Sequence, residues 1–122
     1  MNPETPKWLG KTEGDFHTAR REPNYDAACF HAQPGVEKYL KAVLVEAGRP
    51  FSKTHDLLLL LDLCLPTAPL LDSFRPSLAI LKNFAVHIRY PGEDASRTDA
   101  RDVLQRAEAV RTAVREHLGM LE

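Results

Sequence analysis

The chain has 122 residues, of which 43% are hydrophobic and 27% are charged, and its formal net charge is −1. This length is sufficient for one domain with its own core, and the balance is that of a globular rather than a disordered protein. A net charge near zero excludes a uniformly basic surface, so any surface that binds nucleic acid must be local. Cys29 and Cys64 are the only cysteines. They lie in no metal-binding spacing, and we expect two reduced, packed thiols.

The N-terminal segment and the most apolar segment argue against export and against a membrane-spanning helix. Residues 1–6 contain no basic region followed by an apolar run, so we expect no signal peptide. The apolar run 57–65 is interrupted by Asp62 and stopped by Pro66. It is far shorter than the roughly 20 apolar residues that span a bilayer. We therefore expect a cytoplasmic protein without a membrane partner.

Hydrophobic spacing by threes and fours recurs along the chain, whereas the period-two alternation and hairpin turns of strands are missing. The first predicted helix covers residues 6–21 and ends before Pro23. The second covers residues 25–47 and has the clearest apolar stripe, but Pro34 lies inside it. An internal proline removes a backbone hydrogen bond at a cost of about 3 kcal/mol. We expect a kink, or two helical pieces that meet near Gln33.

The third and fourth predicted helices are bounded by capping residues and prolines. Thr54 is the predicted N-cap of the third helix, with Asp56 in the first turn and His55 helping to cap it. This helix is apolar nearly all round and should be the most buried. The fourth helix is expected to start around Ser73, because Pro76 is tolerated only in the first turn. Residues 90–92 stop it.

The fifth predicted helix covers residues 96–118. Ser96 followed by Asp99 approximates a capping box at its start, with Asp in place of the usual Glu. Five helices joined by short loops predict an all-α, up-down antiparallel bundle of four to five helices. We expect residues 1–122 to form a single domain.

Four motifs stand in order between residues 8 and 91. They are Trp8-Leu9 with Asp15; Cys29-Phe30-His31-Ala32-Gln33 with Glu37-Lys38 and Leu40-Lys41-Ala42; Thr54-His55-Asp56-Leu57; and Arg89-Tyr90-Pro91. This series resembles the HEPN family, the "higher eukaryotes and prokaryotes nucleotide-binding" domain. Pro34-Gly35 departs from the small or polar residues that are usual in the second motif.

The resemblance implies a helical bundle that commonly forms a homodimer. It also implies a protein partner, often a minimal nucleotidyltransferase, in toxin–antitoxin pairs. Many members of the family are metal-independent ribonucleases, whose site is an Arg and a His separated by four to six residues. Such a site needs the His for proton transfer and the Arg for the phosphate charge.

The ribonuclease motif is not found at the position that the family implies, near the end of the fourth helix. Arg89 stands there, but no histidine follows it in residues 90–94, and His87 precedes it. Two other pairs have the spacing elsewhere, Arg49 with His55 and Arg111 with His117. We therefore expect a module that binds a nucleotide or a partner. The alternative is a ribonuclease with a rearranged site.

The candidate binding residues come from the second motif and from the end of the fourth helix. A rearranged catalytic site would use Arg89 with His87 or His31. A structural reading of His31 places it at a helix–helix interface, and Lys38 and Lys41 are expected on a solvated face. The residues that the resemblance implies for a nucleotide or a partner are Arg89, Tyr90, His31, Gln33 and Lys38.

Four arginines of the last helix share one side. At 100° per residue, Arg97, Arg101, Arg111 and Arg115 fall within about 80° of one another. They either pair with nearby acids while their stems cover the edge of the core, or form an anion-binding or partner-docking strip. No pair of histidines has metal-ligand spacing and no glycine-rich phosphate loop is present, so we expect neither a metal nor a cofactor.

Overall fold

The computed structural model describes residues 1–87 and 94–120, without the side chains of residues 85–87. Five α-helices form where the apolar residues recur by threes and fours, and no strand occurs in the described residues. The all-α bundle predicted from the sequence is confirmed. The helices are α1 (Thr5–Arg21), α2 (Tyr25–Glu46), α3 (Leu57–Cys64), α4 (Arg75–His87) and α5 (Arg97–His117), and a 3-10 helix covers Pro69–Phe74.

Helix α2 lies at the centre of the bundle and contacts each of the other four α-helices. Its apolar stripe is wide enough to face several neighbours, and every residue from 39 to 44 is buried. Tyr39, Leu40 and Leu44 are among the largest fully buried side chains. The five helices thus share one core built around α2.

Pro34 does not divide α2, which is a single helix from Tyr25 to Glu46. The alternative of two helical pieces is therefore wrong. Helix α1 packs closely against α2 at this point. A Cβ added at Gly35 would lie only 2.7 Å from Cδ2 of the buried Phe16 ring. The Thr12 hydroxyl also donates a hydrogen bond to the Gly35 carbonyl. This tertiary packing outweighs the helix-breaking tendency of proline.

Helix α3 starts later than the sequence predicted. Its N-cap is Asp56, whose Oδ1 accepts hydrogen bonds from the amides of Leu58 and Leu59 at 3.0 and 3.3 Å. Thr54 is not the N-cap; its hydroxyl accepts a hydrogen bond from the Asp56 amide at 3.1 Å. An aspartate carboxylate satisfies two free amides at once, so the cap falls on Asp56 and not two residues earlier.

Helices α4 and α5 begin with the predicted proline and capping box. Pro76 is the second residue of α4, which starts at Arg75 rather than around Ser73 because a 3-10 helix precedes it. At the start of α5, the Ser96 hydroxyl accepts from the Asp99 amide at 3.0 Å, and Asp99 accepts from the Ser96 amide at 2.9 Å. The predicted capping box is confirmed.

The two cysteines are buried and do not form a disulfide. Burial raises the pKa of the Cys29 thiol to about 11 and that of Cys64 to about 12, so both are protonated at neutral pH. Within the part of the chain that the structure describes, no helix combines the length and apolarity needed to cross a bilayer. Among the same residues, no three His, Cys, Asp or Glu side chains lie close enough together to hold one metal ion.

Candidate functional site

The Glu37 carboxylate lies in the interior of the bundle and binds two cationic or proton-donating side chains. Its side chain is 8% exposed. Glu37 Oε2 lies 3.0 Å from Lys41 Nζ, and Oε1 lies 2.8 Å from Nδ1 of His55. Glu37 and Lys41 are one helical turn apart on α2 and so share a face. The carboxylate therefore joins the centre of α2 to the loop before α3.

Lys41 is held between two aromatic rings. Its ammonium lies 5.8 Å from the centre of the Trp8 ring and 5.9 Å from that of Phe51. The two rings contact each other edge to face, with 5.9 Å between their centres. Lys41 is buried, so the expectation of a solvated face is wrong for this residue. A buried ammonium needs a counter-charge, and Glu37 supplies it.

His55 presents its imidazole to solvent while Glu37 holds one edge of the ring. The side chain is 88% exposed. The backbone carbonyl of His55 accepts a hydrogen bond from Gln33 Nε2 at 3.3 Å, which fixes the backbone of the loop against α2. His55 does not cap α3, because Asp56 does. An imidazole that is oriented through Nδ1 leaves Nε2 available to accept or donate a proton.

Asp56 connects this site to α4 through Lys82, whose Nζ lies 3.2 Å from Asp56 Oδ1. Partial burial acts to raise the pKa of Asp56. The Lys82 ammonium and the amides of Leu59 and Leu58 act in the opposite direction and prevail, so the pKa lies below its usual value. The carboxylate stays ionised at neutral pH and keeps the start of α3 in place.

Two large apolar side chains are exposed on α2 and α3, the helices that meet at the loop of His55. Phe30 is 45% exposed and lies one helical turn before Gln33 on α2. Leu59 is 43% exposed and lies one turn after His55, on α3. We call Phe30, Gln33, His55 and Leu59 the α2–α3 surface. It combines an apolar area with an oriented imidazole, which is a composition found where proteins bind partners.

The structure divides the residues that the sequence proposed for a nucleotide or partner site. Gln33 contacts the loop before α3, whereas Lys38 Nζ lies 2.5 Å from Asp15 Oδ2, on the side of α1. His31 is half-buried and contacts the Phe30 ring, with 5.9 Å between ring centres. Gln33 and His31 thus remain near the α2–α3 surface, and Lys38 does not.

The other residues proposed from the sequence belong to the end of the fourth helix. Arg89 and Tyr90 lie outside the described residues. His87 is the last residue of α4, but its side chain is also outside the described part. The rearranged site of Arg89 with His87 or His31 therefore stays a prediction.

The arginine strip predicted on α5 has two halves with different surroundings. Arg111 Nε and Arg115 Nη1 each lie 3.0 Å from Glu13 Oε1 on α1. Arg97 and Arg101 are exposed and form no ion pair with any described residue. The half near the end of α5 pairs with an acid, and the half near its start faces solvent.

Glu13 is the centre of a second polar cluster, in which the Tyr39 hydroxyl also donates to its carboxylate. Burial acts to raise the pKa of Glu13, but the hydrogen bonds from Tyr39 and Arg111 outweigh it and lower the pKa. Burial, followed by the bond to Glu13, raises the pKa of Tyr39 to about 12. The cluster joins α1, α2 and α5 with Glu13 ionised and Tyr39 protonated.

Comparison with known protein families matches the HEPN domain over residues 5–117. This chain belongs to the HEPN family. The crystal structure of TT1696 from Thermus thermophilus is similar to it, with a TM-score of 0.83 and 23% sequence identity. The similarity covers 96% of this chain and 99% of TT1696, which shows that the two share a fold. No curated protein matches the sequence.

One Arg–His pair of this HEPN domain has the family's spacing but faces two different neighbours. Arg111 contacts Glu13 on α1. His117 instead lines a cavity of about 540 Å³ formed with the 3-10 helix Pro69–Phe74 and with Ala113. Since their side chains lead to different elements, the spacing of Arg111 and His117 does not indicate one shared site.

Sequence reasoning missed the central role of Glu37 in this HEPN domain. The i, i+4 spacing of Glu37 and Lys41 was a visible signal for an ion pair. It carried no information on burial, because a charged pair on a helix is usually exposed. The contact with His55 joins residues 18 positions apart and depends on the path of the loop.

Proposed function

We propose that this protein is a HEPN binding module that docks a protein partner on its α2–α3 surface. A minimal nucleotidyltransferase is the partner class that the family resemblance implies, in a toxin–antitoxin-like pair, and a homodimer is the assembly that it implies. The observation that carries the proposal is the exposure of Phe30 on α2 and Leu59 on α3, the two helices that the contacts of His55 with Glu37 and Gln33 join. Partially exposed apolar side chains beside oriented polar groups favour protein recognition over catalysis.

Two features of the α2–α3 surface support a stable docking site. Its backbone is fixed, because Gln33 holds the loop at 3.3 Å and Asp56 caps α3. The His55 imidazole is oriented by Glu37 at 2.8 Å, so little side-chain freedom is lost when a partner binds it. A preorganised surface of this kind needs no rearrangement of the bundle.

The first test replaces the two apolar residues with charged ones. Phe30→Glu/Leu59→Glu should abolish co-elution with a co-expressed minimal nucleotidyltransferase, measured by size-exclusion chromatography with light scattering. Leu70→Glu is the control for an added surface charge, because Leu70 is 88% exposed on the 3-10 helix and is not part of the α2–α3 surface. The control should bind like the wild type.

Two outcomes contradict this assignment of the surface. Equal loss of binding in the Leu70→Glu control shows a general effect of added charge. Loss of a homodimer, rather than of the partner complex, in the Phe30→Glu/Leu59→Glu variant assigns the surface to a second copy of the chain.

A metal-independent ribonuclease with a rearranged Arg/His site is the second candidate function. The observation in its favour is His55, an exposed imidazole whose Nδ1 is held by a buried carboxylate, which is an arrangement suited to proton transfer. Arg89 is the candidate for the phosphate charge.

Incubation with a mixed RNA substrate in EDTA separates the two functions. A binding module leaves the RNA intact, in the wild type and in the variants Arg89→Ala and His55→Gln. Cleavage by the wild type that is lost in Arg89→Ala, with folding retained by circular dichroism, overturns the first proposal. Simultaneous loss in His55→Gln identifies His55 as the proton-transfer group.

A further inference from the structure

The cavity that His117 lines lies between the 3-10 helix and the last turns of α5. Its volume is about 540 Å³, and small-molecule sites of proteins typically measure about 300–1,000 Å³. On α5 it is lined by Ala113, Glu116 and His117, which share one face because they stand at positions i, i+3 and i+4. On the other side it is lined by residues of the segment 67–74. We call this space the α5 cavity.

The α5 cavity is mainly apolar. Ala113 carries a single methyl group where α5 faces the 3-10 helix, which leaves room between the two elements. Ala68 and Leu71 are each 3% exposed and belong to the core, so the inner wall of the cavity is hydrophobic. Leu70 also lines it, yet this side chain is 88% exposed. An apolar ligand would remove this leucine from water, which the hydrophobic effect favours.

The charge at the α5 cavity selects a cation. Among the described residues that line it there is one carboxylate, Glu116, and no lysine or arginine. The Glu116 side chain is exposed and forms no hydrogen bond or ion pair with a described residue. The C-terminal end of α5 adds partial negative charge through the helix dipole. An anionic ligand would therefore be repelled at this site, and a cationic one attracted.

The arginines next to the lining along the chain are engaged by acids. Arg75, directly after the 3-10 helix, binds two aspartates at 2.7 and 2.9 Å. Arg115, on α5, binds Glu13 of α1 at 3.0 Å. Neither arginine lines the cavity, so the charge of Glu116 is available to a ligand.

The hydroxyl groups of the α5 cavity offer acceptors for hydrogen bonds. The Thr67 hydroxyl donates to the Cys64 carbonyl at 3.3 Å. The Ser73 hydroxyl donates to the Leu70 carbonyl at 3.1 Å. Since each proton is already donated, each oxygen can only accept a further hydrogen bond, and a neutral His117 imidazole adds another acceptor. An ammonium group, which has three donors and no acceptor, matches this set.

We propose that the α5 cavity binds an organic ammonium ion, a protonated primary amine with an aryl or alkyl body. The ammonium group pairs with the Glu116 carboxylate in a charge-assisted hydrogen bond. The apolar body packs among Leu70, Leu71 and Phe74, where an aryl ring can contact the phenyl ring of Phe74. The cavity shares no residue with the α2–α3 surface, so this binding site is separate from the proposed docking site.

The test compares three ligands of similar size and different charge: 2-phenylethylammonium, 2-phenylethanol and 3-phenylpropanoate. Each is titrated into the ¹⁵N-labelled protein at about pH 7.5, where an ordinary imidazole is mostly neutral, and the amide chemical shifts give Kd. The ammonium should bind roughly three- to tenfold more tightly than the alcohol, as expected for one exposed ion pair. The propanoate should bind most weakly. The amides that shift should belong to residues 67–74 and 113–117.

Two variants separate the charge from the space. Glu116→Gln should lower the affinity for the ammonium to that for the alcohol and leave the affinity for the alcohol unchanged. Glu22→Gln is the matched control, because it changes the net charge equally and follows α1 at the opposite end of α5, the two helices being antiparallel. Ala113→Leu fills the cavity and should weaken the binding of all three ligands alike. Thermal unfolding checks that each variant is folded.

Four results overturn the proposal. They are equal affinity of the wild type for the three ligands, absence of shifts at the lining residues, an unchanged preference for the ammonium in Glu116→Gln, and an equal loss of that preference in Glu22→Gln. A dimer in light scattering, whose lining amides shift on dilution and not with any ligand, instead assigns the cavity to a second copy of the chain.

Discussion

At the scale of single residues, Glu37 is a buried acid that connects the centre of α2 to the loop before α3. It is the counter-charge of a buried lysine and the hydrogen-bond partner of an exposed histidine. A buried pair of this kind contributes little relative to apolar residues of the same size. Removal of only one partner of the pair is costly, since the other charge is then left in the core without compensation.

Glu37→Gln should lower the free energy of unfolding by about 3 kcal/mol, because Lys41 stays buried without a carboxylate. The double variant Glu37→Leu/Lys41→Met removes both charges and should recover most of that loss. Glu4→Gln is the control; its pair with Lys7 is largely exposed, and the change should stay within about 1 kcal/mol. Urea unfolding followed by circular dichroism measures all three. A double variant less stable than Glu37→Gln would show that the pair stabilises the fold directly.

The candidate site was only partly predictable from the sequence, and the reason lies at this scale. Gln33 and His31 came from the resemblance and lie at or near the α2–α3 surface. His55 belongs to this surface and Glu37 orients it from the interior, yet neither residue type nor spacing reveals that one is exposed and the other buried. Burial of a charged side chain is decided by the neighbours that the fold brings to it, such as Trp8 and Phe51 around Lys41, the ion-pair partner of Glu37.

At the scale of elements, the contact between α1 and α2 is set by the absence of a side chain at Gly35. The buried Phe16 ring occupies the space that a Cβ would take. The ring also contacts Tyr39 edge to face, with 5.6 Å between ring centres, so it has little room to move. The distance between the two helices therefore depends on one glycine next to a proline.

Gly35→Ala should destabilise the protein by about 1–2 kcal/mol, because overpacking costs about 1–3 kcal/mol and the better helix propensity of alanine returns at most about 1. Gly14→Ala is the matched control on α1, where nothing lies within 4 Å of the added Cβ. It should raise stability by up to about 1 kcal/mol. Thermal unfolding of the two variants gives shifts of opposite sign. A stabilised Gly35→Ala variant would show that the Phe16 ring moves freely.

The helix boundaries show which signals can be read locally. The start of α5 was predicted correctly because Ser96 and Asp99 satisfy each other's backbone amides without any other part of the chain. The continuity of α2 through Pro34 was not predictable, since it depends on packing against α1. The cap of α3 fell on Asp56 rather than Thr54 because the Asp56 carboxylate accepts from two free amides, and Lys82 of α4 also binds that carboxylate.

At the scale of the whole molecule, Glu13 joins three helices through one carboxylate. It contacts Tyr39 of α2 and both Arg111 and Arg115 of α5. The pKa of Glu13 is lowered in the folded protein. Its ionised form therefore stabilises the fold above the unfolded pKa, and this contribution is lost as the pH falls through the folded value.

Glu13→Gln should reduce stability at neutral pH, and the difference from the wild type should shrink as the pH falls below the ordinary glutamate value of 4.5. The physical reason is that protonated Glu13 and glutamine interact alike with the two arginines. Urea unfolding of both proteins across this pH range measures the difference. A gap that stays constant in acid would show that ionised Glu13 contributes nothing to the pH dependence.

The central position of α2 determines how the amide protons of this protein exchange with solvent. Each of the other four α-helices packs on α2. When one of these neighbours detaches, the amides of α2 are still covered by the other three. Exchange in the middle of α2 then requires complete unfolding, whereas the ends of α1 and α5 exchange through local opening. The slowest amides of the chain thus belong to the helix with a proline in its middle, a position that carries no exchangeable amide of its own.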